Sequence, residues 1–118
     1  MSNDKKNKQN KVEMVEMMYK VRICAVRQTE YKDLQEQFEN KLDTPCTVKV
    51  GDTFVSVDGK KPEGFCDSAW DTIKDFVMTL ARGGGNFFDG WMKNPHSAML
   101  SCNDGFRPVT FHIERIEE

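Results

Sequence analysis

The sequence predicts an α+β domain, in which one long α-helix and a short second helix accompany a small, mainly antiparallel β-sheet that the long helix covers. Three observations carry this expectation. Val21, Ile23 and Ala25, and later Val109, Phe111 and Ile113, alternate with polar residues, the period-two pattern of strands with one buried face. Ala69, Trp70, Ile73, Phe76, Val77 and Leu80 recur at three- and four-residue intervals, which places them on one stripe of a helix. Turn signals at Asp58-Gly59, Gly83-Gly84-Gly85 and Asn103-Asp104-Gly105 separate these stretches.

Taken in order, residues 1–12 form a polar tail. Its first eleven residues hold four lysines against one aspartate and no apolar residue beyond Met1, so they have nothing to bury. The tail carries +3 and leaves −5 on the rest of a chain whose formal charge is −2. The remainder, 13–118, reads as a single domain. A first strand covers Tyr19 to Arg27. A short surface helix follows over Glu30 to Leu42, with Tyr31, Leu34 and Phe38 at helical spacing and Thr29 as its cap. Val48, Val50, Phe54, Val55 and Val57, interrupted by Gly51-Asp52, supply one or two short strands. The long helix spans about Asp67 to Arg82, capped by Asp67 or Ser68 and ended by the three glycines, which reach the left-handed conformation without steric cost. Ala98, Leu100 and Cys102 alternate with Met99 and Ser101, and with Val109, Phe111 and Ile113 they form a C-terminal hairpin.

Size and composition bound the function. A chain of 118 residues with 38% hydrophobic and 31% charged residues supports one modest core, burying roughly two-thirds of its unfolded surface. That excludes a large multi-substrate enzyme. Nucleic acid is not expected as the main partner, because each contacted phosphate wants its own Lys or Arg. No apolar run approaches the roughly 20 residues that cross a bilayer, and Met1-Ser2-Asn3-Asp4-Lys5-Lys6 opens no signal peptide. A cytoplasmic protein is therefore expected, with no membrane partner and with its cysteines as free thiols or metal ligands.

Cys66 immediately precedes the long helix, where unpaired backbone N–H groups and the positive dipole end favour a thiolate. It is the candidate nucleophile, although Asp67 opposes ionisation and a small apolar role under the helix fits as well. Cys46, Cys66 and Cys102 each sit beside a break in regular structure. As three thiolates they suit zinc, copper or iron, with His96 or Cys24 available as a fourth ligand. Against this, no Cys-x-x-Cys pair is present, and separations of 20 and 36 residues match no finger or ribbon. Alternation places Cys102 on the face of Ala98 and Leu100, which suits a core cysteine equally. Three readings stay open: packing cysteines, a metal site and a redox thiol.

The glycine-rich stretch 83–93 is not a phosphate cradle, because its glycines follow a helix C-terminus whose carbonyls repel anions. Phe87, Phe88, Trp91 and Met92 in such a connection form a lid on the core, a pocket wall or a subunit interface. Trp70 and Trp91 are candidates to shield a bound group. Lys93 and Arg107 are candidates to orient a small anionic ligand, an ion pair being the alternative for Arg107. His112 shares the strand face of Thr110 and Glu114 and is expected to face solvent. No Ser–His–Asp order, His-Glu-x-x-His helix or nucleophile elbow occurs.

Several motifs stand in order: Pro45-Cys46, Gly51-Asp52-Thr53-Phe54, Pro62-Glu63-Gly64-Phe65-Cys66 with Ala69-Trp70, Gly84-Gly85-Asn86-Phe87 with Trp91-Met92-Lys93, and Cys102-Asn103-Asp104-Gly105-Phe106-Arg107-Pro108-Val109 with Glu114-Arg115-Ile116. From about Tyr19 to Glu117 the chain resembles a small prokaryotic family of single-domain proteins with no settled activity. The resemblance implies a site around Cys46, Cys66 and Cys102, which fall inside its motifs, whereas Cys24 does not. Two departures stand out. Ser101 occupies a position where related sequences often carry a cysteine, and Phe88-Asp89-Gly90 replaces a shorter form of the loop. The expectation is a small thiolate-site protein that binds metal or performs thiol redox chemistry, the alternative being an interaction module or homo-oligomer built on the aromatic loop.

Overall fold

The computed structural model describes residues 18–41 and 47–117. The expected tail over 1–12, the end of the short helix at Leu42, and Cys46 lie outside the described residues. The elements are β1 (Lys20–Gln28), α1 (Lys32–Phe38), β2 (Thr53–Ser56), α2 (Asp67–Ala81), β3 (Ser97–Ser101) and β4 (Val109–Ile116). The strands form one sheet in the order β2-β1-β4-β3, with every neighbouring pair antiparallel. The α+β class read from the sequence is the observed one.

Alternation does in space what it promised in sequence. Val21, Ile23 and Ala25 on β1 and Val109, Phe111 and Ile113 on β4 are buried on one sheet face. Ala69, Ile73, Val77, Leu80 and Ala81 of α2 are buried too and join the same core. Each such Ile, Leu or Val contributes about 1.5–3 kcal/mol by leaving water. Phe65 locks the start of α2, its ring centroid lying 4.9 Å from Phe54, 5.4 Å from Phe111 and 6.3 Å from Trp70.

Both ends of α2 have a specific cause. At the C-terminus, Gly83 takes φ +96°, its N–H donates to the Leu80 carbonyl at 3.1 Å, and the Gly84 N–H donates to Thr79 at 2.9 Å. That paired pattern is the Schellman motif, which needs a residue free to adopt the left-handed conformation. The buried Arg115 adds a side-chain cap: its Nε donates to the Leu80 carbonyl at 2.8 Å, an Nη donates to the Gly84 carbonyl, and its guanidinium lies 4.8 Å from the Tyr19 ring centroid. At the N-terminus the cap is Cys66 rather than Asp67 or Ser68, with extended φ −62° and ψ 124° and no capping side chain. Lys61 draws the Asp67 carboxylate outward while donating to the Phe65 carbonyl, and the Ser68 hydroxyl donates elsewhere, to Asn103. The first N–H groups of α2 are therefore left without a capping side chain.

Two further expectations change in detail. The short helix begins after Tyr31, not Thr29, because the Thr29 N–H continues the β1–β4 pairing by donating to the Pro108 carbonyl at 3.0 Å. It buries no residue and is held by polar contacts. The β3–β4 connection turns on a side chain rather than on Gly105, since Asp104 Oδ1 accepts the Phe106 N–H at 2.8 Å and the Arg107 N–H at 3.3 Å. Among the described residues, no helix is long and apolar enough to cross a membrane.

Candidate functional site

Two hydrogen bonds tie the first turns of α2 to the end of β3. Ser68 Oγ donates to Asn103 Oδ1 at 2.7 Å, and Thr72 Oγ1 donates to the Ser101 carbonyl at 3.2 Å. Together they bring Cys66, the helix cap, and Cys102, the first residue past β3, to one cleft of about 280 Å3. Its floor is apolar, made by Val48, Ala69, Val109 and Phe111, and its rim is polar, with Thr47, Ser68, Asn103 and Asp104. The volume lies near the lower end for ligand pockets, enough for a small group or an ion with its ligands but not for a dinucleotide.

The two thiols differ in setting. Cys102 closes the hairpin, with its N–H donating to the Val109 carbonyl at 3.0 Å and its sulfur accepting the Val109 N–H at 3.2 Å. Cys66 sits at the uncapped end of α2, where free N–H groups and the helix dipole attract an anion. Both are half-buried and free. Cys46 lies outside the described residues, one residue before Thr47 on the cleft wall. Among the described residues, no group of three or more His, Cys, Asp or Glu side chains is clustered to hold a metal ion, so the described wall offers two thiols.

The remaining predicted residues scatter. Trp70 is half-buried one turn into α2, edge-on to Phe65, and does not line the cleft. Trp91 and Lys93 follow the C-terminus of α2, a helix about 22 Å long, so they belong to its other end. Arg107 is committed to α1: it donates to Glu39 at 2.9 Å and to Gln35 Oε1 at 3.0 Å, with Glu30 at 3.8 Å. The hydrogen bond to Glu39, reinforced by the charges of Glu39, Glu30 and Asp104, raises the Arg107 guanidinium above its ordinary pKa. His96 pairs with Glu117 and does not line the cleft. Cys24 is on the opposite sheet face, paired with His112.

Phe87 folds back onto α2 against Phe76, with ring centroids 4.9 Å apart, as a lid would. Phe88 does not: it is 75% exposed, holds φ +52° and stacks edge-on against the exposed Trp91 at 5.2 Å. Sequence reasoning missed Arg115, the one described arginine that is buried. Its signal was present, because the alternation of Val109, Phe111 and Ile113 continues inward to position 115. Comparison of the chain with protein-family models, curated proteins and solved structures finds no match.

Proposed function

We propose that the protein is a small cytoplasmic thiolate-site protein in which Cys66 and Cys102 act as a pair, holding a soft metal ion such as zinc, copper or iron. One observation supports this reading above the others: two thiols 36 residues apart in the chain line a single cleft at an uncapped helix end. Cys46, next to Thr47, is the third thiolate of the proposal. Thiolates bind such ions at about 2.3 Å, in trigonal or tetrahedral sets. On the rim, the side-chain amide N–H groups of Asn103, whose oxygen already accepts the Ser68 hydroxyl, are suited to donating to a small anionic ligand at the open coordination position. Elemental analysis of untagged full-length protein, purified without oxygen beside Cys66→Ser and Cys102→Ser variants, tests it. A stoichiometric metal that is lost in both variants supports the reading. A metal-free chain, whose Cys66 and Cys102 also fail to form a mutual disulfide with oxidised glutathione, overturns both its metal and its redox form.

A second reading rests on Phe88. An aromatic side chain displayed at 75% exposure on a left-handed backbone, paired with Trp91, resembles the anchor of a subunit interface. Light scattering of the full chain beside a Phe88→Ala/Trp91→Ala variant decides it. A dimer that dissociates in the variant supports a homo-oligomer, and a monomeric parent removes that reading.

A further inference from the structure

The face of the sheet turned away from α2 carries a separate set of soft donors. Cys24 on β1 stands opposite His112 on β4, His112 stands opposite Met99 on β3, and Thr53 of β2 lies beyond Cys24. One row across four strands therefore reads Thr53, Cys24, His112, Met99. Their sequence neighbours Ile23, Ala25, Phe111, Ile113 and Ala98 are buried on the other face, so this row lies on the outer one. Met99 is 40% exposed.

The spacing suits a metal. Side chains directly opposite on antiparallel strands have Cβ atoms about 4.5–5.5 Å apart. A thiolate sulfur at about 2.3 Å and an imidazole nitrogen at about 2.0 Å from one ion span at most about 4.3 Å, so Cys24 and His112 can share an ion without backbone movement. Met99, directly opposite His112 on the next strand, is unbranched with three rotatable bonds and is long enough to bring its sulfur to the same ion. Little competes for the sulfur: Thr53 Oγ1 donates to it at 3.8 Å, and its own S–H points to the Ala25 carbonyl at 3.9 Å. The charges of the adjacent row are already engaged, Arg22 with Glu114 at 3.3 Å and Glu114 with Asn94 at 3.2 Å.

A thiolate, an imidazole and a thioether form a soft set that selects copper(I) over hard cations. We propose that Cys24, His112 and Met99 form a copper(I) site on the outer sheet face, separate from the thiol cleft and independent of it. Binding exchanges the Cys24 thiol proton for the ion, with no change of oxidation state and with the proton released to solvent.

The test uses the full chain carrying Cys46→Ser, Cys66→Ser and Cys102→Ser, which leaves Cys24 as the sole thiol. Under anaerobic conditions it is titrated with copper(I) against bicinchoninate. One equivalent bound is expected, abolished by adding Cys24→Ser and weakened about tenfold or more by His112→Gln and by Met99→Leu. Copper left entirely with the competitor, or binding untouched by all three changes, overturns the site. Should the triple variant not fold, the wild-type chain is titrated with diamagnetic silver(I) and followed by NMR. Shifts of the Met99 methyl and His112 ring signals support the site, and their constancy until every thiol is saturated refutes it.

Discussion

Arg115 is where the structure makes its sharpest energetic statement. A guanidinium with 3% of its side chain exposed closes the end of α2. Its Nε reaches the Leu80 carbonyl at 2.8 Å, a second nitrogen reaches the Gly84 carbonyl, and its charge lies over the Tyr19 ring at 4.8 Å. Hydrogen bonds from a charged donor contribute about 1.5–3 kcal/mol each, and the cation–π contact with the exposed Tyr19 ring adds about 0.5–1 kcal/mol. Desolvation of the guanidinium offsets part of that sum. Leu80 also keeps its backbone donor from Gly83, so its carbonyl is not orphaned. The net expectation for Arg115→Met, which preserves the apolar stem, is a loss of about 2–3 kcal/mol. Urea denaturation measures it as a lower midpoint at unchanged slope, and a double-mutant cycle with Tyr19→Leu should recover a coupling of about 0.5–1 kcal/mol. A variant within about 0.5 kcal/mol of the parent would show that desolvation cancels the cap and would refute this reasoning.

Other expectations follow from single contacts. A Cβ at Gly85 would come within 2.5 Å of the Pro95 backbone oxygen, so Gly85→Ala should cost about 2 kcal/mol, read from the same denaturation midpoint. Arg107→Met should release α1, seen as faster amide exchange at Gln35 and Glu39 with the sheet unaffected. Because the folded-state pKa of Arg107 is raised, its contribution is complete below the unfolded value and is lost only as pH climbs through the folded one. The stability difference between parent and variant should therefore stay flat from about pH 7 to 10. A difference that shrinks steadily across that range would mean the ion pair with Glu39 is not what fixes α1.

Much of the fold was legible because burial is periodic. The alternation in β1 and β4 and the apolar stripe of α2 are one-dimensional traces of the same core, and three consecutive glycines mark a helix end that only a left-handed residue completes. Element boundaries were less legible where polar side chains decide them. Thr29, Asp67 and Ser68 are all good caps in isolation, yet tertiary partners at Pro108, Lys61 and Asn103 claim them first. The site divides the same way. Cys66 and Cys102 were legible as residues beside breaks in structure, but their shared cleft depends on the Ser68–Asn103 and Thr72–Ser101 bonds, which no local pattern announces. Arg107 and Lys93 looked equivalent as positive rim residues. Only the fold separates an arginine clamped to Glu39 from a lysine at the far end of α2. Cys24, outside every motif, shows its setting only through strand register, which sets it beside His112.

The decisive measurement is a cadmium titration of the full-length reduced chain, following thiolate-to-metal charge-transfer absorbance in the ultraviolet. If Cys66 and Cys102 share one ion, the wild type should give a strong band that saturates with stoichiometric cadmium. That band should collapse to the same low level in Cys66→Ser and in Cys102→Ser, while Cys24→Ser keeps it. A band that survives either cleft variant undiminished would contradict a shared thiolate pair and leave the two cysteines as independent side chains on the wall of an ordinary cleft.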